Sequence, residues 1–410
     1  MANISFVALF VLVLVFYVIA APAADVERVE VTQTAQDVED VQPSETKKAK
    51  RGIYGGGFGY GFGHYPSFYP YVNMSDLKIA VVGAGVIGVT TACQLQKRFR
   101  NAKIDILAHE FFEDTTSYVA AGLFRPGTSF CGPSEDITRK WIQDSYEFWD
   151  ALRKTSEGIE AGILEVSGYI FSSEFPEIVR NRFLEQVCPV YRSATRAELG
   201  LCPGNWKFGS FFTTLLTQSS YYIPWATREF QSHGGQLIRQ KVASLEHLGT
   251  QYDVVVNCTG LGAKTLCNDH HLVPIRGQVS KVKAPWIKTF FYGDLDTYII
   301  PGVDSVTLGG CRQYESWDLK VNDFDSMNIQ QRCEALVPSL KGAELLGHQV
   351  GLRPHRAVVR VEKEVKNPNG KKLKIVHNYG HGGYGVTTAP GTSLYACDLV
   401  QEILSGNSKL

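Results

Sequence analysis

The sequence has no excess of either charge: 41 Lys and Arg stand against 41 Asp and Glu in 410 residues. That balance excludes the broad basic footprint of a nucleic-acid binder. Its nine Cys and ten His form no C-x-x-C pair and no His-rich cluster, which argues against a zinc module or a disulfide scaffold. No apolar run reaches the ~20 residues of a membrane-spanning helix. What is present points elsewhere. With 44% hydrophobic and 20% charged residues the chain is far too apolar to be disordered throughout. Its length suffices for two domains with sizeable cores. The expectation is a neutral, two-domain globule that acts on small molecules.

Recognisable folded sequence begins only near Lys78. Ahead of it, Phe6 to Ala21 is nearly unbroken apolar sequence running into Ala21-Pro22-Ala23. An apolar core before a small-x-small site has the pattern of a secretory signal peptide, here residues 1–23, although no Lys or Arg precedes it. The other reading is an uncleaved membrane anchor, for which the run is short. Residues 24–77 read as a disordered acidic, then Gly/Tyr-rich, low-complexity segment. Asp25 to Glu45 is acidic and polar without aromatic residues, and Gly52 to Tyr71 is dominated by Gly, Tyr and Phe. Between them, Lys47-Lys48-Ala49-Lys50-Arg51 is either a processing site or a solvated charge run. Asn73-Met74-Ser75 is a glycosylation sequon. Asn257-Cys258-Thr259 is another, but it ends an apolar strand and is expected to be buried and unmodified. The last residues, Ser408-Lys409-Leu410, are the peroxisomal tripeptide. A signal peptide acts while the chain is still being made, so secretion is expected, with the peroxisome as the alternative.

The chemistry starts with Lys78-Ile79-Ala80-Val81-Val82, a run suited to a buried parallel strand. Gly83-Ala84-Gly85-Val86-Ile87-Gly88 follows at once, and apolar residues recur at helical spacing from Val89 to Phe99. This is G-x-G-x-x-G between a strand and a helix, the context in which the motif binds a dinucleotide. Gly83 permits the tight turn, Gly85 lets the backbone reach a pyrophosphate, and Gly88 lets helix pack on strand. The helix N-terminus offers free N–H groups to the phosphates. A second strand, Ile104 to Leu107, leads to His109 and Glu110. An acid about 20 residues past the glycines commonly accepts a hydrogen bond from the ribose. Glu110 is the candidate, or else it faces solvent and His109 takes the register. The glycines do not separate nicotinamide from flavin.

The next segment does. Asp114-Thr115-Thr116-Ser117 and Val119-Ala120-Ala121-Gly122-Leu123 resemble the stretch by which D-amino-acid oxidases hold FAD. The resemblance continues through Val255 to Gly260, Pro274 to Gln278, Tyr298 to Gly302, Thr307 to Gly310 and Gly351 to Pro354, and closes with His377 to Gly385. These blocks keep the family's order from about Lys78 to Leu404, and the chain is identified as a member of the D-amino-acid oxidase family. That resemblance implies FAD held by Gly83 to Gly88, His109, Glu110, Thr115, Thr116, Ser117, Ala121, Gly122, Val242, and Gly382, Gly383, Tyr384, Gly385, Val386 and Thr387. It implies an α/β fold: a Rossmann-like FAD-binding domain, about 78–122, 220–262 and 355–404, interleaved with an antiparallel-sheet substrate-binding domain. Residues 405–410 form a tail. The implied reaction transfers a hydride from the α-carbon of a D-amino acid to FAD. The imino acid hydrolyses to 2-oxo acid and ammonia, and O2 leaves as H2O2. No catalytic acid/base side chain is implied if the amine is already neutral, and no metal.

By the same resemblance, Arg353 pairs with the α-carboxylate, Tyr298 adds a hydroxyl to it, and the Gly383 carbonyl receives the amino group. A guanidinium suits the first task, being planar, permanently charged and able to hold two oxygens. Arg312 stands where D-aspartate oxidases carry an Arg, which implies a second carboxylate and hence D-aspartate, with D-glutamate expected too. A neutral substrate is expected to leave Arg312 desolvated and unpaired, a cost of about 3–5 kcal/mol for a buried charge. Trp317 fits acidic-substrate relatives or a core position equally. One departure stands out: the lid stretch Phe290 to Asp296 has no Arg and two acids, Asp294 and Asp296. Tyr292 there either closes over the substrate or packs on the lid. The alternatives are an oxidase of neutral or broad-range D-amino acids, and an inactive secreted flavoprotein scaffold or peptide precursor. Oxygen and an acidic D-amino acid are the expected partners, with no nucleic acid and no membrane span once the leader is cleaved.

Overall fold

The computed structural model describes residues 76–405 apart from Lys371. The expected signal peptide, the low-complexity segment as far as Ser75 (Asn73 with it) and the Ser408-Lys409-Leu410 tail lie outside the described residues. Among the described residues, fourteen strands join into one mixed sheet. The first seven are β1 (Lys78–Val82), β2 (Lys103–Ala108), β3 (Ile163–Ser172), β4 (Val190–Ser193), β5 (Phe208–Thr217), β6 (Gln236–Arg239) and β7 (Val254–Asn257). The others are β8 (Val273–Lys283), β9 (Phe290–Tyr292), β10 (Tyr298–Pro301), β11 (Val306–Gly309), β12 (Gln313–Tyr314), β13 (Glu344–Lys366) and β14 (Leu373–His381).

One half of the sheet is parallel, in the order β14-β7-β1-β2-β6. Its central strands β1 and β7 are near-continuous apolar runs, and Ile79, Val81, Val254 and Val256 are fully buried. Such strands need cover on both faces. The helices Val86–Arg98 and Gly385–Ser405 pack together on one face. Leu245 and Leu248 close the other against Ala80, Val255 and Ile375. The helix starts at Val86, earlier than the apolar periodicity from Val89 suggests, because Gly85 is still extended and the second half of the glycine motif already forms the first turn.

The other half runs β4-β5-β3-β9-β10-β11-β8-β13 and is antiparallel except for the β3–β9 pair. The 23-residue β13 pairs antiparallel with both β8 and β14, and so carries the sheet from one half into the other. The helix Asp323–Leu336 covers this half through Ile329, Cys333 and Leu336, its first turn capped by the Asn322 side chain, which accepts from the Asp325 N–H at 3.0 Å. Asn257 ends β7 fully buried, as expected for an unmodified sequon. All nine Cys are free. Burial pushes the Cys93 and Cys258 thiols up to about 12, so they pack as small apolar groups. No helix among the described residues is long and apolar enough to cross a membrane.

Candidate active site

The site lies beyond the C-terminal ends of the parallel strands, where β1 turns into its helix and β13 passes alongside. A cavity of about 1650 Å³ joins the two regions. Small-ligand pockets span about 300–1,000 Å³, so there is room for a dinucleotide and a small substrate together. At one end Gly83 has a φ of +110°, and a Cβ there would stand 2.4 Å from the Cys258 carbonyl oxygen. A Cβ at Gly88 would stand 1.9 Å from the Gly83 carbonyl oxygen. Neither position admits a side chain. The helix Val86–Arg98 begins without a side-chain cap from Gly85. The Val86 N–H donates to Ser117 Oγ at 3.1 Å, which ties the short helix Thr116–Val119 to the glycine turn. An uncapped helix start behind a glycine turn is a ready anion site.

Every residue expected to hold a dinucleotide lines this cavity except Gly88, which acts through packing. Several of them have hydrogen-bond partners within the protein. Glu110 and His109 are both more than half exposed and pair with each other at 3.1 Å. Thr115 turns its hydroxyl inward, onto the Phe112 carbonyl at 2.7 Å. Val242 follows β6, and Gly382 to Thr387 lead from β14 into the C-terminal helix. These residues fit a bound dinucleotide, since the two glycines leave space only for backbone beside the phosphates.

Arg353 on β13 dominates the other end. Its guanidinium reaches over Gly277, which pairs with Gly351 two residues earlier on β13, so that a Cβ at Gly277 would come 2.3 Å from Cζ. Nη1 donates to the Cys311 carbonyl at 3.1 Å, and no carboxylate among the described residues pairs with it. Gly383 touches its stem, a Cβ there standing 3.3 Å from Arg353 Cδ. Tyr298 starts β10 opposite Gly309. Burial raises its phenol, partly offset by Arg353, so the hydroxyl remains a donor at neutral pH. The buried His381 is pushed down to about 3 by desolvation and is neutral.

Residues 78–399 match the family described as FAD dependent oxidoreductase (DAO). The chain belongs to that family. Human D-aspartate oxidase is 40% identical to this FAD-dependent oxidoreductase over 331 residues, 80% of this chain and 96% of the relative. D-aspartate oxidase 1 of Caenorhabditis elegans is 36% identical over 349 residues, covering 81% and 99%. Among solved structures, glycine oxidase from Geobacillus kaustophilus superposes with a TM-score of 0.66 at 19% identity, over 82% of this chain and 96% of that one. That likeness concerns the fold alone. The α/β fold with a large mixed sheet and FAD as cofactor are thereby established for this oxidoreductase.

The structure corrects one expectation directly. Arg312 is not unpaired: its Nε meets Asp296 Oδ1 at 3.1 Å, and both side chains are nearly half exposed. Such a pair is worth about 0–1 kcal/mol, so the larger penalty expected of a buried charge does not apply. The lid acids account for this. Asp296 balances Arg312, and Asp294 accepts from the Ser173 hydroxyl. Trp317 is half exposed at the cavity and is not a core residue. The Tyr292 ring packs beside Tyr298, with centroids 5.6 Å apart. Sequence reasoning passed over two residues here. Gly277 was visible only as part of a matching block. Arg125 was visible as a cation two residues beyond the apolar run Ala120 to Leu123, and its guanidinium carbon lies 4.6 Å from the Tyr292 ring centroid.

Proposed function

We propose that this chain oxidatively deaminates acidic D-amino acids, D-aspartate and D-glutamate, to the 2-oxo acid, ammonia and H2O2. The observation that carries the reading is Arg353: a guanidinium without a carboxylate partner, held beside Tyr298 and Gly383 in the cavity that also contains the glycine turn. A permanently charged fork facing a small-molecule cavity calls for an anionic ligand. Arg353 receives the substrate α-carboxylate, and the protonated Tyr298 hydroxyl donates to the same group. The Gly383 carbonyl accepts from the amine and so orients the α-carbon. These contacts fix geometry, which is what transfer from a C–H bond requires of the protein. FAD, when bound, supplies the hydride acceptor and the route of electrons to O2; Gly83, Ala84, Gly85 and the first turn from Val86 hold its phosphates in this reading. No side chain need remove a proton from a neutral amine, and His381 is buried with its Nε2 bonded to the Thr392 hydroxyl at 3.0 Å. Arg312 adds positive charge at the side-chain end, balanced by Asp296.

That balance favours one second reading, an oxidase of neutral D-amino acids. Steady-state H2O2 release from D-aspartate, D-glutamate and D-alanine separates the two. D-aspartate is expected to give the highest kcat/KM. A higher value for D-alanine would overturn the acidic preference, and a yellow protein that releases no H2O2 from any D-amino acid would establish an inactive scaffold. The apolar stretch Phe6–Ala23 supports secretion, with glycosylation at Asn73 following from it. Immunodetection of the chain with and without that stretch tests this address against the peroxisomal one.

A further inference from the structure

We propose that Arg125 is a specificity-determining residue, the cation that receives the side-chain carboxylate of the substrate. This rests on the acidic-substrate reading above and names the group that enforces it. Arg125, Arg312 and Arg353 line the substrate end of the cavity, with Arg276 beside Gly277 on β8, and two of the four, Arg276 and Arg312, have their charge or their donors occupied within the protein. Arg276 is fully buried and donates to Asp325, Gln278 and Gln313 and to the Asp318 and Lys320 carbonyls. Arg312 is balanced by Asp296. Arg353 has no carboxylate partner among the described residues and is assigned to the α-carboxylate in the reading above. Arg125 lines the same cavity with no carboxylate partner among the described residues, and its Nε is buried without any hydrogen-bond partner. A buried donor left unsatisfied is a cost that a ligand oxygen removes.

The segment that carries Arg125 is fixed from both sides. The Phe124 N–H donates to the Leu215 carbonyl at 2.7 Å, and the Thr214 hydroxyl donates to the Phe124 carbonyl at 2.8 Å. On the other side, Asn181 Nδ2 donates to the Pro126 carbonyl at 2.8 Å. The guanidinium itself rests over the Tyr292 ring, a cation–π contact that holds the charge without neutralising it. Tyr292 lies beside Tyr298, so Arg125 stands one ring away from the α-carboxylate clamp. The cavity therefore offers two uncompensated guanidinium groups, Arg353 and Arg125, to a substrate with two carboxylates.

The test uses the full-length, FAD-loaded protein and its Arg125→Gln and Arg125→Lys variants. Oxidation of D-aspartate and D-alanine is measured in the steady state, and malonate binding is read from the change in flavin absorption. Losing a charge-assisted contact is expected to lower the D-aspartate to D-alanine ratio of kcat/KM by about 10- to 100-fold in Arg125→Gln. The change should appear in KM rather than kcat, malonate should bind more weakly, and Arg125→Lys should recover part of the loss. A ratio within twofold of the wild type overturns the proposal, as does an equal fall for both substrates, which marks a structural role. The two layers fail separately. A wild type that prefers D-alanine removes the acidic reading and Arg125 with it, whereas a wild type that prefers D-aspartate beside an unaffected Arg125→Gln removes Arg125 alone.

Discussion

Gly277→Ala tests the substrate clamp without removing any charge. Gly277 sits in β8, directly opposite Gly351 of β13. A Cβ at this position would lie 2.3, 2.3 and 2.4 Å from Cζ, Nη2 and Nη1 of Arg353, where ordinary contact begins at 3.4 Å. The guanidinium therefore has to withdraw by about 1 Å or more. Because the obstructing atoms are the end of a flexible side chain, the strand itself need not move. Gly277 is outside the left-handed region, so Ala takes its backbone without strain, and loss of glycine freedom in the unfolded chain contributes about 0.4–1 kcal/mol. Stability should stay close to that of the wild type. Activity should not: misplacing a clamp by about 1 Å can cost 10²-fold, and a weakened charged hydrogen bond of about 1.5–3 kcal/mol corresponds to about 10- to 100-fold. We expect kcat/KM for D-aspartate and D-alanine to fall alike, since both carry the α-carboxylate, with Tm shifted by only a few degrees. Steady-state H2O2 assays and thermal unfolding on one preparation check both halves. A kcat/KM within threefold of the wild type would refute the reasoning, by showing that Arg353 works from another position or not at all.

Asp296→Asn releases Arg312 from its only carboxylate among the described residues and should lower KM for D-aspartate several-fold with little effect on D-alanine; an unchanged ratio would show that Arg312 does not face the substrate. Gly83→Ala places a Cβ against the Cys258 carbonyl at a φ of +110°, so the purified variant should carry much less flavin per mole than the wild type, measured by visible absorption. Stability should fall with acid even before carboxylates titrate. Burial holds His377 down to about 4 and His381 to about 3, whereas an unfolded His titrates near 6.5. Below that value the unfolded chain takes up protons that the folded one refuses, so stability is full at neutral pH and declines by about 1.4 kcal/mol per pH unit for each group. Urea midpoints at pH 7.5 and 5.5 test this, and equal midpoints would refute it.

The nucleotide end of the site was legible because its logic is local. A strand, a glycine turn and a helix start occupy consecutive residues, and the contact that requires Gly88 lies within the turn itself, although Gly83 is confined by Cys258, just past the distant β7. The substrate end was legible only in its parts. Arg353 and Tyr298 stood out by resemblance, yet nothing near Gly277 announces that it must leave room for a guanidinium 76 positions later in the chain. The 23-residue β13 was also hidden. Its glycines and Pro354 interrupt any strand pattern, but Pro354 faces Pro274 in the register, so the missing N–H groups fall together.

Charge showed the same division most clearly. By itself the sequence determined the supply: equal numbers of acids and bases, a dinucleotide turn, and arginines in family positions. Which arginines remain free was decided by tertiary structure. Asp296 reaches Arg312 only because β10 and β11 fold back on each other, and Arg125, its backbone pinned on both sides, rests over Tyr292 with no carboxylate partner among the described residues. An ion pair forms over a few ångströms of space, whatever the distance along the chain, and that spacing exists only once the sheet has closed around the cavity.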